Sequence, residues 1–178
     1  IQDQASMLAT LALDVEPGMN VLDTCSAPGG KVTYIGELMQ NKGNIYAHDL
    51  HEKKIALIEN NSKRLEITNI QASKYDARKL QDLYENESFD RIIVDAPCTG
   101  YGVIRTKPDI KYRKQLQDSE NLHQIQRKIL QEIAPLLKIN GKLVYSTCTV
   151  EKLENEVVIE HFLEKNTTFI VDREFLQE

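Results

Sequence analysis

The stretch MNVLDTCSAPGGKVTYIGELMQ, residues 19–40, decides the fold because it contains a complete pattern of strand, turn and helix. Its apolar start, 19–25, predicts a β-strand, and apolar residues at helical spacing predict a helix over 29–40. The same order recurs along the chain. Further strands are predicted at 43–49, 69–76, 89–96 and 142–148, and further helices at 51–65, about 115–137 and 153–165.

This alternation predicts one α/β domain in which helices cover both faces of a mostly parallel, Rossmann-like sheet. The chain has 178 residues, a common length for one domain, and its 41% of hydrophobic residues suffice for a core. Residues 1–18 predict a lead-in helix that Asp3 caps and that Pro17 and Gly18 end.

Composition restricts the class of protein. No apolar stretch approaches the roughly 18–20 residues that span a bilayer, and the first residues lack the basic start of a secretory signal. The three cysteines have no paired spacing, which argues against a disulfide framework and for a reducing, cytoplasmic setting. No group of cysteines and histidines has the spacing of a zinc site, so no metal is expected.

Charge is distributed unevenly along the chain. The net charge is −5, yet residues 105–114 carry five cations against one acidic residue, so this segment has a charge of +4 and the remainder −9. The five cations are Arg105, Lys107, Lys111, Arg113 and Lys114. A basic segment on an acidic protein fits contact with the phosphates of a nucleic acid, although a short charged run is more often only a solvated surface.

The turn DTCSAPGGK, residues 23–31, follows the first predicted strand, at the edge where α/β sheets bind ligands. Gly29 and Gly30 allow a ligand to approach the backbone. The turn matches neither the glycine fingerprint of dinucleotide sites nor the P-loop, which argues against a pyrophosphate ligand and against a nicotinamide dehydrogenase. The alternative interpretation is an ordinary βα turn that contains glycines.

Aspartates close the second, third and fourth predicted strands at Asp49, Asp76 and Asp95. The carboxyl ends of parallel strands meet at one edge of a sheet, and Asp49 has the spacing from Gly29 at which a carboxylate accepts hydrogen bonds from ribose hydroxyls. Asp49 could instead cap the helix that follows it. A nucleoside-containing cofactor without phosphates fits these features best, and S-adenosylmethionine is therefore expected.

Two cysteines follow the last two predicted strands, because Cys98 comes after the fourth strand and Cys148 closes the fifth. In a sheet of order 3-2-1-4-5 these strands are neighbours, so both sulphurs are expected to reach one cleft. A single cysteine at a strand end is usually a packing residue. Both cysteines lie in polar turns, however, as is typical of partly exposed, reactive thiols. Cys25, in contrast, is interpreted as a small packing residue.

A pair of thiols favours one kind of methyl transfer. Nitrogen and oxygen acceptors carry a lone pair and need no thiol, and the turn after the fourth strand lacks the Asn-Pro-Pro-Tyr pattern of exocyclic-amine methylases. Carbon 5 of a pyrimidine becomes nucleophilic when a thiolate adds to carbon 6, after which a base removes the carbon-5 proton and the thiol is eliminated. The residues alone leave open which cysteine is the nucleophile.

These motifs resemble those of the Nol1/Nop2/Sun family of RNA 5-methylcytosine methyltransferases. The resemblance covers nearly the whole chain: QDQAS (2–6), DTCSAPGGK, DAPCTGYGVIRTKPD (95–109), LVYSTCTV (143–150) and ENEVVI (154–159). GVIRTKPDIKY is most similar to the bacterial Sun-type enzymes that methylate small-subunit rRNA. The resemblance implies a Rossmann-like class I methyltransferase fold, S-adenosylmethionine as the cofactor and RNA, with rRNA foremost, as the partner.

The resemblance also implies the roles of individual residues. Cys148 is the nucleophile and Cys98 promotes release of the methylated base, whereas DNA cytosine methylases use the cysteine of the Pro-Cys turn. Asp49 holds the ribose hydroxyls, Asp76 lies on the adenine side, and Asp95 faces both cofactor and target base. The other cofactor residues are those of the first turn: Cys25, Ser26, Ala27, Pro28, Gly29, Gly30 and Lys31. The five cations of residues 105–114 are the expected RNA contacts.

Two features of the family are not found in this sequence, namely the final strand of its sheet and the N-terminal RNA-binding domains. We therefore expect a catalytic core from a longer, monomeric protein, in which TTFIVD (167–172) is the penultimate strand. Two alternative functions stay open. The first is a methyltransferase that acts on tRNA or another acceptor, and the second is a non-catalytic RNA-binding or ribosome-assembly module with the same fold.

Overall fold

The computed structural model describes residues 4–103 and 116–173, which form five α-helices and five strands. The helices are α1 (Gln4–Ala12), α2 (Gly30–Leu38), α3 (Glu52–Arg64), α4 (Leu116–Ile133) and α5 (Glu156–Lys165). The strands are β1 (Asn20–Asp23), β2 (Asn44–Asp49), β3 (Ile70–Lys74), β4 (Phe89–Asp95) and β5 (Leu137–Ser146). Short 3-10 turns span Ala77–Asp82, Tyr101–Val103, Ala134–Leu136 and Lys152–Glu154.

The five strands form one parallel sheet in the order β3-β2-β1-β4-β5, which confirms the predicted fold and strand order. The carboxyl ends of all five strands therefore lie along one edge of the sheet. The loops after β1, β2, β4 and β5 meet at this edge, which is where open α/β sheets bind their ligands.

Helices cover both faces of the sheet, as predicted, because successive side chains of a strand point to opposite faces. On one face, residues of β1 and β4 pack against α4 and α5; this cluster includes Leu22, Ile92, Val94, Ile129, Ile133, Val158 and Phe162. On the other face, residues of β1, β2 and β4 pack against α2 and α3; this cluster includes Val21, Ile45, Ala47, Ile93, Val32, Ile35, Ile55 and Ile58.

The boundary between α4 and β5 differs from the prediction, which continued the helix to about residue 137 and began the strand at 142. The helix ends at Ile133 because Pro135 has no N–H for the helical ladder, and a 3-10 turn follows. β5 then begins at Leu137 and pairs with Phe89. The register of β4 against β5 shifts between Phe89 and Arg91, and Arg91 pairs with Lys142.

Four strands, β1, β3, β4 and β5, end one or two residues earlier than predicted, and after β1 and β3 an aspartate side chain hydrogen-bonds the backbone that leaves the sheet. Asp23 ends β1, and its Oδ1 accepts a hydrogen bond from the Cys25 N–H at 3.2 Å. Asp76 lies beyond the end of β3 and caps the following 3-10 turn by accepting from the Arg78 N–H. Cys148 lies two residues past the end of β5 and does not close the strand.

The carboxyl-terminal part of the described chain also differs from the prediction. α5 begins at Glu156 because residues 152–154 form a 3-10 turn. The predicted strand at 167–172 is wrong, since these residues belong to no strand. Phe169 packs edge-on against Phe162, with ring centroids 4.9 Å apart, while Ile170 faces solvent. None of the helices in the described residues has the length and apolar character needed to cross a membrane.

Candidate active site at the carboxyl edge of the sheet

The turn between β1 and α2 is fixed to the neighbouring strand. The Ser26 N–H donates to the His48 carbonyl of β2 at 2.8 Å, and the Ser26 hydroxyl donates to the Asp23 carbonyl at 3.0 Å. Gly29 has φ +104°, and a Cβ at this position would lie 3.1 Å from the Ile58 Cα. The turn therefore requires glycine both for its backbone conformation and for its close approach to α3.

Two cavities open at this edge of the sheet. The first has about 310 Å³ and is lined by Thr24, Cys25, Ala27, Asp49, Leu50, His51, Lys54, Tyr75, Asp76, Ala77, Arg78, Asp95, Pro97, Ile125 and Ile129. The second has about 470 Å³ and is lined by Ser6, Asp23, Cys25, Ser26, Ala27, Pro28, Gly30, Lys31, Thr33, Asn61, Arg64, Leu65 and Asp95. All predicted cofactor residues except Gly29 line one or both cavities.

Asp49 and Asp76 lie in the first cavity, and each has a basic partner. Asp49 is almost buried, accepts a hydrogen bond from the His51 N–H at 3.1 Å and lies 3.5 Å from the Lys54 ammonium. His51, and not Asp49, is the N-terminal cap residue of α3. Asp76 forms a double hydrogen bond with the Arg78 guanidinium at 2.9 and 2.6 Å, which holds the pKa of Asp76 below its usual value.

Asp23 lies in the second cavity and was not predicted as a site residue, although it ends a strand at the same edge as Asp49 and Asp95. Its Oδ2 is buried and has no hydrogen-bond partner among the described residues. Burial and, second, the charge of Asp95 raise the pKa of Asp23 to about 7. A buried carboxylate oxygen without a donor, at the wall of a cavity, fits a cationic or N–H-bearing ligand.

Asp95 lines both cavities and is held from two sides. The Lys31 ammonium lies 2.7 Å from Asp95 Oδ2, and the Ser146 hydroxyl donates to Asp95 Oδ1 at 2.9 Å. Lys31, which the resemblance placed among the cofactor residues, thus fixes this carboxylate where the two cavities meet. The ion pair joins the first turn of α2 to the end of β4, and Ser146 joins both to the end of β5.

The sulphurs of Cys98 and Cys148 lie 3.0 Å apart, so the structure brings the two thiols together as predicted. The Cys148 N–H also donates to the Cys98 sulphur at 3.2 Å. The hydrogen bond with Cys148 and then burial raise the pKa of the Cys98 thiol well above its ordinary value. Of the two side chains Cys148 is the more exposed.

The thiol pair lies beside the two cavities and not in their walls. Pro97, next to Cys98, lines the first cavity, and Ser146, two residues before Cys148, binds Asp95. A ligand in the first cavity would therefore lie next to the turn that holds the thiols.

Cys25 differs from this pair. It packs against the hydrophobic cluster under α4, and burial raises the pKa of its thiol to about 12. This fits its interpretation as a packing residue, although Cys25 also lines both cavities. The five predicted RNA-binding cations at 105–114, and the predicted cap Asp3, lie outside the described residues.

A comparison with protein families matches residues 10–177 to the model described as 16S rRNA methyltransferase RsmB/F. Among curated proteins, the probable ribosomal RNA small subunit methyltransferase B of Bacillus subtilis is 53% identical over 97% of this chain. The 28S rRNA (cytosine-C(5))-methyltransferase of Mus musculus is 36% identical over 96% of it. The chain spans 38% of the length of the first relative and 22% of the second.

Solved structures of two other proteins are similar to this chain along most of its length. NSun6 from Pyrococcus horikoshii, in a structure with SFG, matches with a TM-score of 0.84 and 36% identity over 92% of this chain and 41% of that one. A methyltransferase homologue from the same organism matches with a TM-score of 0.80 and 37% identity, over 92% of this chain and 50% of that one. Together with the family match over residues 10–177, these likenesses establish that the chain belongs to the RsmB/F family of 16S rRNA methyltransferases.

Proposed function

We propose that this chain is the catalytic domain of a longer, cytoplasmic protein that methylates carbon 5 of cytosine in rRNA, with S-adenosylmethionine as the methyl donor. The observation that carries the proposal is the 3.0 Å approach of Cys98 and Cys148 beside two cavities lined with carboxylates. The names of the relatives, among them two rRNA methyltransferases, support rRNA over tRNA as the substrate.

The residues of both cavities fit S-adenosylmethionine, which supplies an electrophilic methyl group when bound. Asp49 would accept hydrogen bonds from the ribose hydroxyls, and Asp76 would lie on the adenine side. The turn Cys25–Lys31 would hold the methionine end in the second cavity. Asp23 Oδ2, which has no hydrogen-bond partner within the described part of the chain, fits the ammonium group there, because that group is a cation with three N–H donors.

Cys148 would act as the nucleophile, because it is the more exposed thiol of the pair and Cys98 keeps its proton near neutral pH. The Cys148 sulphur forms a bond to carbon 6 of the cytosine, and the electron pair of the ring double bond moves to carbon 5. Carbon 5 would then form its bond to the methyl group as the bond between that methyl group and the sulphur of the donor breaks, which leaves S-adenosylhomocysteine. Loss of the carbon-5 proton returns the electron pair, breaks the bond between sulphur and carbon 6, and restores the Cys148 thiolate.

Cys98 would take part in the release of the methylated base. Its hydrogen bond with Cys148 is the largest cause of its raised pKa. Once the Cys148 sulphur is bonded to carbon 6, it carries no negative charge, so the pKa of Cys98 would fall toward its ordinary value although burial still raises it, and a thiolate would form when its proton leaves to solvent. The Cys98 thiolate is then able to accept the proton from carbon 5.

Asp95 would bind the edge of the cytosine ring. A carboxylate accepts hydrogen bonds from the exocyclic amine of cytosine, and Lys31 and Ser146 hold this one in a fixed orientation. The target base would leave its stack to reach Cys148. The cations of residues 105–114, which follow Cys98 closely in the sequence, would bind the RNA phosphates.

Transfer of a labelled methyl group from S-adenosylmethionine into rRNA tests the proposal. Digestion of the product should yield labelled 5-methylcytidine, and no label should appear when Cys148→Ala replaces the wild-type chain. Label in tRNA alone would favour the alternative acceptor. RNA binding without any incorporation would favour a non-catalytic module, and label on a nitrogen or oxygen atom would contradict the thiol chemistry.

A further inference from the structure

The turns that carry the two thiols meet at one buried carboxylate, Glu154, the first residue of the ENEVVI motif, to which the sequence assigned no role. Glu154 is completely buried. Its Oε1 accepts from the Thr99 hydroxyl at 2.7 Å and from the Ser119 hydroxyl at 3.2 Å. Its Oε2 accepts from the Thr99 N–H and from the Gln126 amide, both at 3.0 Å. All four partners are donors, which matches a carboxylate.

Each catalytic thiol is followed directly by a threonine, and both threonines belong to this network. Thr99 follows Cys98 and Thr149 follows Cys148; their hydroxyl oxygens are buried and 2.8 Å apart. Because a carboxylate only accepts, the Thr99 hydroxyl donates to Glu154 and must accept from Thr149. The Thr149 oxygen in turn accepts from the Glu151 N–H at 3.3 Å. The Thr149 hydroxyl therefore donates to Thr99, and the Thr99 hydroxyl donates to Glu154, which is the final acceptor of this series of hydrogen bonds.

The same carboxylate also reaches the residue in front of the first thiol. The Gln126 amide, which donates to Glu154, donates to the Pro97 carbonyl at 2.9 Å as well. On the side of the second thiol, the Tyr145 hydroxyl donates to the Glu154 carbonyl at 2.7 Å. Residues on both sides of Cys98, and residues before and after Cys148, are thus connected to Glu154.

We propose that Glu154 is a positioning residue for the thiol pair: through the hydroxyls of Thr99 and Thr149 it sets the distance between the sulphurs of Cys98 and Cys148. Neither loop alone fixes this distance, because the two cysteines are 50 residues apart and lie beyond the ends of their strands. The expected effect on methyl transfer rests on the proposed function, whereas the positioning of the two sulphurs by Glu154 does not.

Oxidation of the full 178-residue chain tests the positioning without RNA or cofactor. Diamide converts two adjacent thiols into a disulfide by accepting their two hydrogens, and peptide mapping identifies the Cys98–Cys148 product. The wild-type rate should be high, since the sulphurs already lie 3.0 Å apart. Thr99→Val, which has nearly the same shape and removes only the hydroxyl, should lower this rate about tenfold, and Glu154→Ala should lower it further.

Matched variants separate positioning from a general contribution to stability. Ser119→Ala removes one hydrogen bond from the same Glu154 oxygen but does not touch either thiol turn, so it should leave the oxidation rate within about twofold of wild type. Thr99→Ser keeps the hydroxyl and should restore the rate. The alkylation rate of Cys148 by iodoacetamide should change little in any of these variants, because the distance between the sulphurs changes and the exposure of Cys148 does not.

Equal rates in wild type, Thr99→Val and Ser119→Ala, at equal melting temperatures, would overturn the proposal. A wild-type chain that forms no disulfide would also overturn it. In methyl transfer, Thr99→Val should lower kcat and leave the KM for both substrates unchanged. If the oxidation rates follow the prediction but neither wild type nor any variant transfers a methyl group, the proposed function fails. The positioning of the thiols by Glu154 then still stands.

Discussion

Asp23 and Asp95 end neighbouring parallel strands and line the same cavity, and burial together with the Asp95 charge raises the pKa of Asp23 to about 7. Asp23 is thus ionised above neutral pH at a cost in stability, and in the proposed function its carboxylate would bind the ammonium group of the cofactor. A residue that binds a cationic ligand at a cost in stability is typical of functional sites.

Replacement of Asp23 by asparagine should stabilise the protein at alkaline pH. The usual pKa of an aspartate is 3.8, so between pH 4 and 7 the unfolded chain loses a proton that the folded chain retains, and wild-type stability falls as the pH rises. The asparagine side chain cannot ionise and keeps the acceptor for the Cys25 N–H. Urea unfolding should give Asp23→Asn a gain of up to roughly 4 kcal/mol at pH 8. Near pH 4 the two proteins should be equal; a gain of the same size at both pH values would contradict the assignment.

Cofactor binding should have the opposite pH dependence. The ammonium group of the cofactor requires the ionised form of Asp23, so the affinity should fall as the pH drops below about 7, by up to tenfold per pH unit. Calorimetric titration with S-adenosylhomocysteine between pH 5.5 and 8.5 measures this. Asp23→Asn should bind more weakly at pH 8.5 and show little change over the range. A wild-type affinity that is constant with pH would exclude Asp23 as the partner of the ammonium.

Lys31→Met should impair the chemical step, because Asp95 would lose its ammonium partner at 2.7 Å and keep the Ser146 hydroxyl, which holds the other carboxylate oxygen. Single-turnover methyl transfer at saturating cofactor should slow by about ten- to a hundredfold. Lys138→Met is a matched control, since Lys138 forms a 2.8 Å ion pair with Asp90 at the opposite edge of the sheet. The prediction is wrong if both variants slow the reaction equally.

Gly29→Ala should weaken cofactor binding, whereas Gly18→Ala should not. Both glycines have positive φ, +104° and +98°, so an alanine costs about 1–2 kcal/mol of stability at either position. Only at Gly29 does the added Cβ meet another part of the chain, the Ile58 Cα at 3.1 Å; at Gly18 nothing lies within 4 Å. Urea unfolding should show a loss of stability in both variants, larger in Gly29→Ala because of the contact with Ile58, and titration with S-adenosylhomocysteine should show weaker binding in Gly29→Ala but not in Gly18→Ala. Equal affinities would indicate that the turn tolerates the contact.

The arrangement of the sheet could be predicted from the sequence because it depends on local patterns. Apolar runs separated by helical patterns place the strand ends on one edge, and so Asp49, Asp95 and both thiols meet there without any knowledge of long-range contacts. The end of α4 was missed although Pro135 marked it, because the helical pattern continues past the proline to Leu137.

The network around Glu154 could not be predicted in the same way. Two of its members, Thr99 and Glu154, are 55 residues apart, and the charge of a glutamate in a polar stretch gives no sign that the side chain is buried. One signal was present in the sequence: both thiols are followed by threonine, in the dipeptides Cys98-Thr99 and Cys148-Thr149. Asp23 was also visible as a fourth aspartate at a strand end, but only the structure reveals that one of its oxygens has no donor among the described residues.

The most direct test of the thiol chemistry is to trap the covalent adduct with RNA that contains 5-fluorocytosine. Fluorine at carbon 5 cannot leave as a proton, so the adduct persists after methyl transfer and migrates with the protein under denaturing conditions. With S-adenosylmethionine present, wild type, Cys98→Ala and the buried-thiol control Cys25→Ala should form the adduct, and Cys148→Ala should not. An adduct that survives in Cys148→Ala and is lost in Cys98→Ala would contradict the assignment of Cys148 as the nucleophile.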